Sequence, residues 1–141
     1  MTGEDFGTGK EGNMSNENIL VVDDEALIGI SFEREFSDKG FHVDCVLCGE
    51  EALRLVNLKK YDLIFIDKSL PGIDGIETCR QIKKISPDSI AIFMTGSFDK
   101  DNIIKEQEFV AAGGRTFYLY KPFAIGEVQE VVRKALNEKN K

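Results

Sequence analysis

The chain alternates short, unbroken apolar runs with longer segments in which apolar residues recur at helical spacing. Runs of four or five apolar residues, rich in β-branched and aromatic side chains, are typical of strands buried on both faces of a parallel sheet. Four such runs occur, at residues 19–22, 63–66, 90–94 and 117–120. A fifth strand is predicted over 41–47, where apolar and polar residues alternate and indicate that one side is more exposed.

The segments between these strands predict helices. In residues 26–39, Ile28, Phe32 and Phe36 repeat every four residues, and Gly40 provides a C-terminal stop. The other predicted helices are 50–58, 75–85, 100–112 and 125–136. Strand and helix therefore alternate five times, which predicts an α/β fold, a doubly wound (βα)5 sandwich around a parallel five-stranded sheet.

Composition and charge limit the class of protein. The chain has 141 residues, with 18 Lys and Arg against 25 Asp and Glu, and a net charge of -7. We expect a disordered tail at 1–17, one folded domain at 18–137 and a short C-terminal tail at 138–141. The acidic balance argues against direct binding to nucleic acid. Because no apolar run could span a bilayer and no signal-peptide layout begins the chain, we expect a cytoplasmic protein without membrane contact.

The polar residues that directly follow the four apolar runs carry the candidate chemistry. Asp23 and Asp24 follow the first run, Asp67 the second, Thr95 the third and Lys121 the fourth. In open parallel sheets, ligands bind at the carboxyl ends of the strands. Two adjacent carboxylates repel each other and favour a divalent cation with oxygen ligands. A hydroxyl group and a lysine at the same sheet edge would complete a polar site.

These residues lie in four short motifs that resemble those of the receiver domain of two-component response regulators. The motifs are Val22-Asp23-Asp24-Glu25, Asp67-x-x-Leu70-Pro71-Gly72-Ile73-Asp74-Gly75, Met94-Thr95-Gly96 and Lys121-Pro122-Phe123. Each motif alone is a weak signal, whereas all four in this order are a strong one. The resemblance covers about residues 18–137. It implies the flavodoxin-like strand order 2-1-3-4-5.

The resemblance also implies a reaction at Asp67. This residue would accept a phosphoryl group from a phosphohistidine, carried by a sensor histidine kinase or a histidine phosphotransfer protein. Asp23 and Asp24 would bind Mg²⁺ together with Asp67 and the backbone carbonyl of Ser69, with Asp24 the more direct ligand of the adjacent pair. Mg²⁺ prefers such oxygen ligands and keeps several waters.

Thr95 and Lys121 would contact the phosphoryl oxygens, again by resemblance. Thr95 and Tyr118, which lies three residues before the lysine, would form the switch that responds to phosphorylation. We therefore expect a single-domain response regulator, since no effector domain follows Lys141. Its catalysis would be limited to its own phosphoryl transfer and dephosphorylation. Its phosphorylated surface would bind a downstream protein that the sequence does not identify.

Two alternatives stay open at this point. The chain is a receiver-like adaptor that acts without phosphorylation, or it is the receiver fragment of a larger hybrid kinase. A flavin-binding protein of the same fold is disfavoured because the acids after the first strand would repel a cofactor phosphate. A phosphatase with an aspartyl nucleophile is disfavoured because Ser69 stands where a second acid is expected.

The segment between Thr95 and Lys121 departs from the family pattern, since it is about four residues longer than in most receivers, or about one helical turn. Its apolar residues are predicted to face the core from a helix over 100–112 that ends at paired glycines. They are Ile103, Ile104, Val110 and Ala111. Cys79, on the apolar face of the preceding helix, is also predicted to be buried.

Overall fold

The computed structural model describes residues 17–96 and 100–139, and for residues 100–103 it describes the backbone alone. The predicted disordered tail thus lies outside the described residues except for Glu17. The strands are β1 (Asn18–Val22), β2 (His42–Val46), β3 (Leu63–Asp67), β4 (Ile90–Thr95) and β5 (Tyr118–Tyr120). The helices are α1 (Ala26–Phe36), α2 (Gly49–Val56), α3 (Gly75–Ile85), α4 (Lys100–Ala111) and α5 (Ile125–Lys139).

The five strands form one parallel sheet in the order β2-β1-β3-β4-β5. This confirms the predicted flavodoxin-like α/β fold. The register aligns the carboxyl ends of the central strands, because Val22 pairs with Ile66 and Asp67 pairs with Met94. Thr95 pairs with Tyr120 at the next strand boundary. The residues that follow these strands therefore meet at one edge of the sheet.

Alternation along the strands supplies apolar side chains to both faces of the sheet. One face packs against α1 and α5, where Val21 and Phe65 meet Phe32 and Val132. The other face packs against α2, α3 and α4. Residues that pack there include Leu20, Ile64, Val56, Cys79 and Phe109. The core is thus two apolar layers separated by the sheet, and the predicted burial of Cys79 is confirmed at 0% exposure.

Element ends differ from the predicted ones by a few residues. The helix predicted over 26–39 is α-helical only to Phe36, and Ser37–Lys39 form a 3₁₀ turn before Gly40, whose φ is 91°. A tightened last turn of this kind satisfies carbonyl groups that the α-helix leaves free. The last helix continues to Lys139, past its predicted end at 136. In edge strand β2, Val46 is buried.

The predicted apolar face of the fourth helix was wrong. Ile104 is 54% exposed and Val110 is 39% exposed, and Ala111 is also exposed. The side chain of Ile103 lies outside the described residues. Instead, Phe109 is fully buried and Ala112, just past the helix, is nearly so. These two residues lie three apart, so they share a face of the helix.

The ring of Phe109 decides which face of α4 packs inward. It stacks on Phe93 of β4, with ring centroids 4.4 Å apart and planes inclined by 22°. The chain makes room for the ring at Gly114, where a Cβ atom would lie 2.0 Å from Phe109 Cε2. Burial of one phenyl ring removes more apolar surface from water than burial of the smaller side chains that face outward. No helix in the described part of the chain has the length and apolar character needed to cross a membrane.

Phe109→Ala is expected to lower the free energy of unfolding by about 3–5 kcal/mol, because it leaves a cavity against Phe93. Ile104→Ala, on the exposed face of the same helix, is the matched control and is expected to change stability by no more than about 0.5 kcal/mol. Urea unfolding followed by circular dichroism measures both. Equal losses in the two variants would contradict the assigned orientation of α4.

Candidate functional site

A cavity of about 930 Å³ opens at the carboxyl ends of the central strands. Its polar wall comes from the residues that follow four apolar strands. They are Asp24, Glu25, Asp67, Ser69, Gly96 and Lys121. Its apolar wall comes from α1 and from the segment that joins β5 to α5, with Ile28, Phe123 and Ile125 among its residues. The cavity is thus the place where the sheet brings the predicted site residues together.

Three aspartates converge in this cavity. Asp23, Asp24 and Asp67 each offer one carboxylate oxygen, and the three oxygens lie within 4.8 Å of one another. Asp23 and Asp67 are only 2% and 5% exposed, whereas Asp24 is exposed. They converge because β1 and β3 are parallel neighbours that end in register. The predicted acid pair and the predicted acceptor therefore form one cluster.

Lys121 reaches this cluster from beyond β5. Its Nζ lies 2.8 Å from Asp23 Oδ2 and 3.0 Å from Asp67 Oδ1. It also lies 2.7 Å from Glu25 Oε1, a contact to which the sequence reasoning assigned no role. The signal for Glu25 was present, because it is a third acid directly after Asp23 and Asp24.

Backbone hydrogen bonds hold the carboxylates in place. The amide of Glu25 donates to Asp23 Oδ1 over 2.8 Å, and the amide of Ser69 donates to Asp67 Oδ2 over 3.2 Å. Gly75, at the start of α3, packs against the same strand end. A Cβ atom at Gly75 would lie 2.2 Å from the carbonyl oxygen of Asp67. The loop after Asp67 therefore closes tightly enough to require glycine at this position.

Burial and charge set the protonation of the site. Burial, and then the charge of Asp23, raise the pKa of Asp67 to about 6, against the opposing effect of Lys121 and the Ser69 amide. Burial of Lys121 favours a lower pKa, yet its hydrogen bonds to Asp23, Glu25 and Asp67 together raise its pKa above the ordinary value. The hydrogen bond with Lys121 also lowers the pKa of Glu25. At neutral pH, Lys121 is therefore positively charged.

The donor atoms of this cluster fit a hard divalent cation. Four carboxylates face a single ammonium group, so negative charge remains in excess around a partly buried cavity. Mg²⁺ takes oxygen ligands and retains waters, for which the open cavity provides room. The predicted contribution of the Ser69 carbonyl stays a prediction, although Ser69 lines the cavity.

Thr95 and Tyr118, the predicted switch residues, lie on neighbouring strands. Thr95 is fully buried at the end of β4, and its carbonyl accepts from the backbone amide of Lys121 over 2.8 Å. Tyr118 is half-buried and packs edge-on against Phe93, with ring centroids 6.5 Å apart. The two residues thus lie close to the site along the sheet, and their movement stays a prediction.

Comparisons with known proteins agree with this geometry. The family model described as the response regulator receiver domain matches residues 19–133. The sporulation initiation phosphotransferase F of Bacillus subtilis is 34% identical over 123 residues, which cover 87% of this chain and 96% of that protein. The response regulator MprA of Mycolicibacterium vanbaalenii is 33% identical over 118 residues, covering 84% of this chain. The chain spans about half the length of that relative.

Solved structures show the same architecture. A receiver domain protein (CheY-like) from Methanospirillum hungatei superposes with a TM-score of 0.80 at 25% identity, covering 89% of this chain and 98% of that chain. A two-component response regulator from Clostridium difficile gives a TM-score of 0.79 at 26% identity, covering 89% and 99%.

Receiver domains are phosphoacceptor signalling modules that take phosphate from histidine kinases or phosphotransfer proteins and bind Mg²⁺ at an acidic pocket. The motifs, the strand order and the acidic cluster of this chain all agree with that description. The family match extends over most of the described residues. The chain therefore belongs to the response regulator receiver domain family.

Proposed function

We propose that Asp67 accepts a phosphoryl group from the phosphohistidine of a sensor histidine kinase or a histidine phosphotransfer protein. The observation that carries the proposal is the placement of Asp67, which lies among acidic residues, next to Lys121 and on the wall of an open cavity. A carboxylate oxygen of Asp67 attacks phosphorus, so a P–O bond forms while the P–N bond to imidazole breaks. The imidazole nitrogen keeps the bonding pair and then takes a proton. Positioning and charge stabilisation supply most of the catalysis in such transfers.

Asp23, Asp24 and Asp67, with the Ser69 carbonyl, are the residues that would hold Mg²⁺. Both oxygens of Asp23 already contact protein groups, namely the Glu25 amide and Lys121. Asp24 is exposed and lines the cavity, which supports its role as the more direct ligand. When bound, Mg²⁺ would offset the charge on the phosphoryl and carboxylate oxygens.

Thr95 and Lys121 would bind the phosphoryl oxygens of the product. The phosphoryl group adds roughly two negative charges, which favours a hydroxyl donor and an ammonium group beside it. Movement of Thr95 toward that group would change the packing of Tyr118 on the adjacent strand. We propose that this change alters a surface that binds a downstream protein. Such a switch needs a two-state element, and the β4 and β5 ends are the candidates.

A role in a phosphorelay is the finer form of the proposal. Its support is the likeness to a sporulation phosphotransferase that the alignment covers nearly from end to end. The response regulator MprA matches over only about half its length, so its activity as a whole protein is a weaker guide. A receiver-like adaptor that acts without phosphorylation would share the fold but would not react at Asp67.

Asp67→Asn is expected to abolish labelling by acetyl phosphate, because an amide oxygen is a poor nucleophile. Intact-mass spectrometry after incubation with Mg²⁺ measures the gain of one phosphoryl mass. Asp38→Asn removes the same charge in the 3₁₀ turn after α1 and is expected to be labelled like the wild type. A wild-type protein that gains no phosphoryl mass, or an Asp67→Asn variant labelled equally, would contradict the proposal.

Asp67→Asn is also expected to stabilise the metal-free protein at about pH 7, by about 1–3 kcal/mol. The raised pKa of Asp67, about 6, means that folding disfavours its ionised form above that pH. Below about pH 4, the carboxyl group is protonated in both the folded and the unfolded chain, and the gain disappears. Urea unfolding with a chelator present, at both pH values, measures the difference. A gain that does not depend on pH would mean that another property of the variant causes it.

Asp24→Asn is expected to weaken Mg²⁺ binding by about ten-fold or more, because it removes one anionic oxygen ligand. Isothermal titration calorimetry with Mg²⁺ measures the affinity. Asp38→Asn serves again as the control for a general change in net charge. If both variants bound Mg²⁺ as the wild type does, Asp24 would not be a ligand.

A further inference from the structure

The ammonium group of Lys121 has no donor to spare in this structure. A lysine side chain carries three N–H donors. Three carboxylate oxygens surround its Nζ, from Glu25 at 2.7 Å, Asp23 at 2.8 Å and Asp67 at 3.0 Å. A phosphoryl oxygen can therefore receive a hydrogen bond from Lys121 only if one of these carboxylates gives up its own.

The three carboxylates differ in the consequence of release. The side chain of Glu25 is 63% exposed, whereas those of Asp23 and Asp67 are 1% and 7% exposed. A released Glu25 carboxylate returns to water. A released Asp23 or Asp67 would remain as a buried charge without its partner, which is far less favourable. Exposed ion pairs also contribute little to stability. Glu25 is thus the contact that is exchanged most easily.

We infer that Glu25 holds Lys121 in the unphosphorylated protein and that the incoming phosphoryl oxygen takes its place. The inference rests on the proposed function of Asp67. Glu25 is then a positioning residue for Lys121, and its hydrogen bond is a contact that the reaction has to break. The unphosphorylated lysine is kept within 3.0 Å of the acceptor, at the expense of a slower phosphorylation.

Glu25 also carries a negative charge at the cavity wall, which would repel a phosphoryl donor without any contact to Lys121. Two substitutions separate these effects. Glu25→Gln removes the charge and weakens the contact. Glu25→Asp keeps the charge on a side chain that is one methylene shorter and withdraws it from Lys121. If the lysine contact is the cause, both variants change in the same direction.

The test is the initial rate of labelling by acetyl phosphate with Mg²⁺, followed by intact-mass spectrometry. Glu25→Gln and Glu25→Asp are expected to be labelled about two- to five-fold faster than the wild type, in keeping with an exposed ion pair. Glu33→Gln, an exposed glutamate on α1, is the control for net charge and is expected to match the wild type. Unchanged rates in both Glu25 variants would overturn the inference. A faster rate in Glu25→Gln alone would also overturn it, since repulsion would then be the cause.

A second measurement follows the contact itself. The ¹⁵N signal of Lys121 Nζ, assigned by its loss in Lys121→Arg, is expected to differ between the wild type and Glu25→Gln before phosphorylation. After phosphorylation the two signals are expected to coincide, because Glu25 has then already released the lysine. A difference that persists after phosphorylation would overturn the exchange. A wild-type protein that is not labelled would instead overturn the proposed function, and this inference with it.

Discussion

The charge balance around Lys121 is the constraint on which the site depends. Asp23 and Asp67 are nearly removed from water, and carboxylates in that position strongly destabilise a fold unless a positive charge lies beside them. Lys121 provides that charge from beyond β5, although Asp67 ends β3 and the whole of β4 lies between the two strands. The sheet order and the strand register are what make this contact possible. The raised pKa of Asp67 shows that the balance is incomplete, so the metal-free site keeps an affinity for further positive charge.

Much of the fold and of the site could be predicted because a strand buried on both faces has to be apolar throughout. The first polar residue after such a run then marks the strand end, as Asp23, Asp67 and Lys121 do. Since the carboxyl ends of parallel strands share one edge, those residues were expected to meet. The strand order, however, came from the family resemblance. Apolar runs alone do not state which strands are neighbours.

Two features could not be predicted, because each depends on a residue that is distant in the sequence. Helix α4 offers two apolar faces, and the choice between Ile104 and Phe109 is decided by the ring of Phe93 on β4. The part played by Glu25 depends on Lys121, which lies 96 positions further along the chain. In both cases the local pattern contained the residue, while its partner became known only when the strands were assembled.

The same aromatic contact gives a physical route from the site to α4. Phe93 lies two residues before Thr95 on β4, stacks on Phe109 of α4 and packs edge-on against Tyr118 of β5. A second link joins the same elements, because the Tyr120 hydroxyl donates to Glu106 of α4. Close-packed rings transmit displacements because they leave few voids to absorb them. A shift of the β4 end toward a phosphorylated Asp67 would therefore act directly on Phe93, and through it on the face of α4 that carries the exposed Ile104 and Val110. The longer segment after Thr95 would then be the part of the chain that changes its outer surface with the state of Asp67.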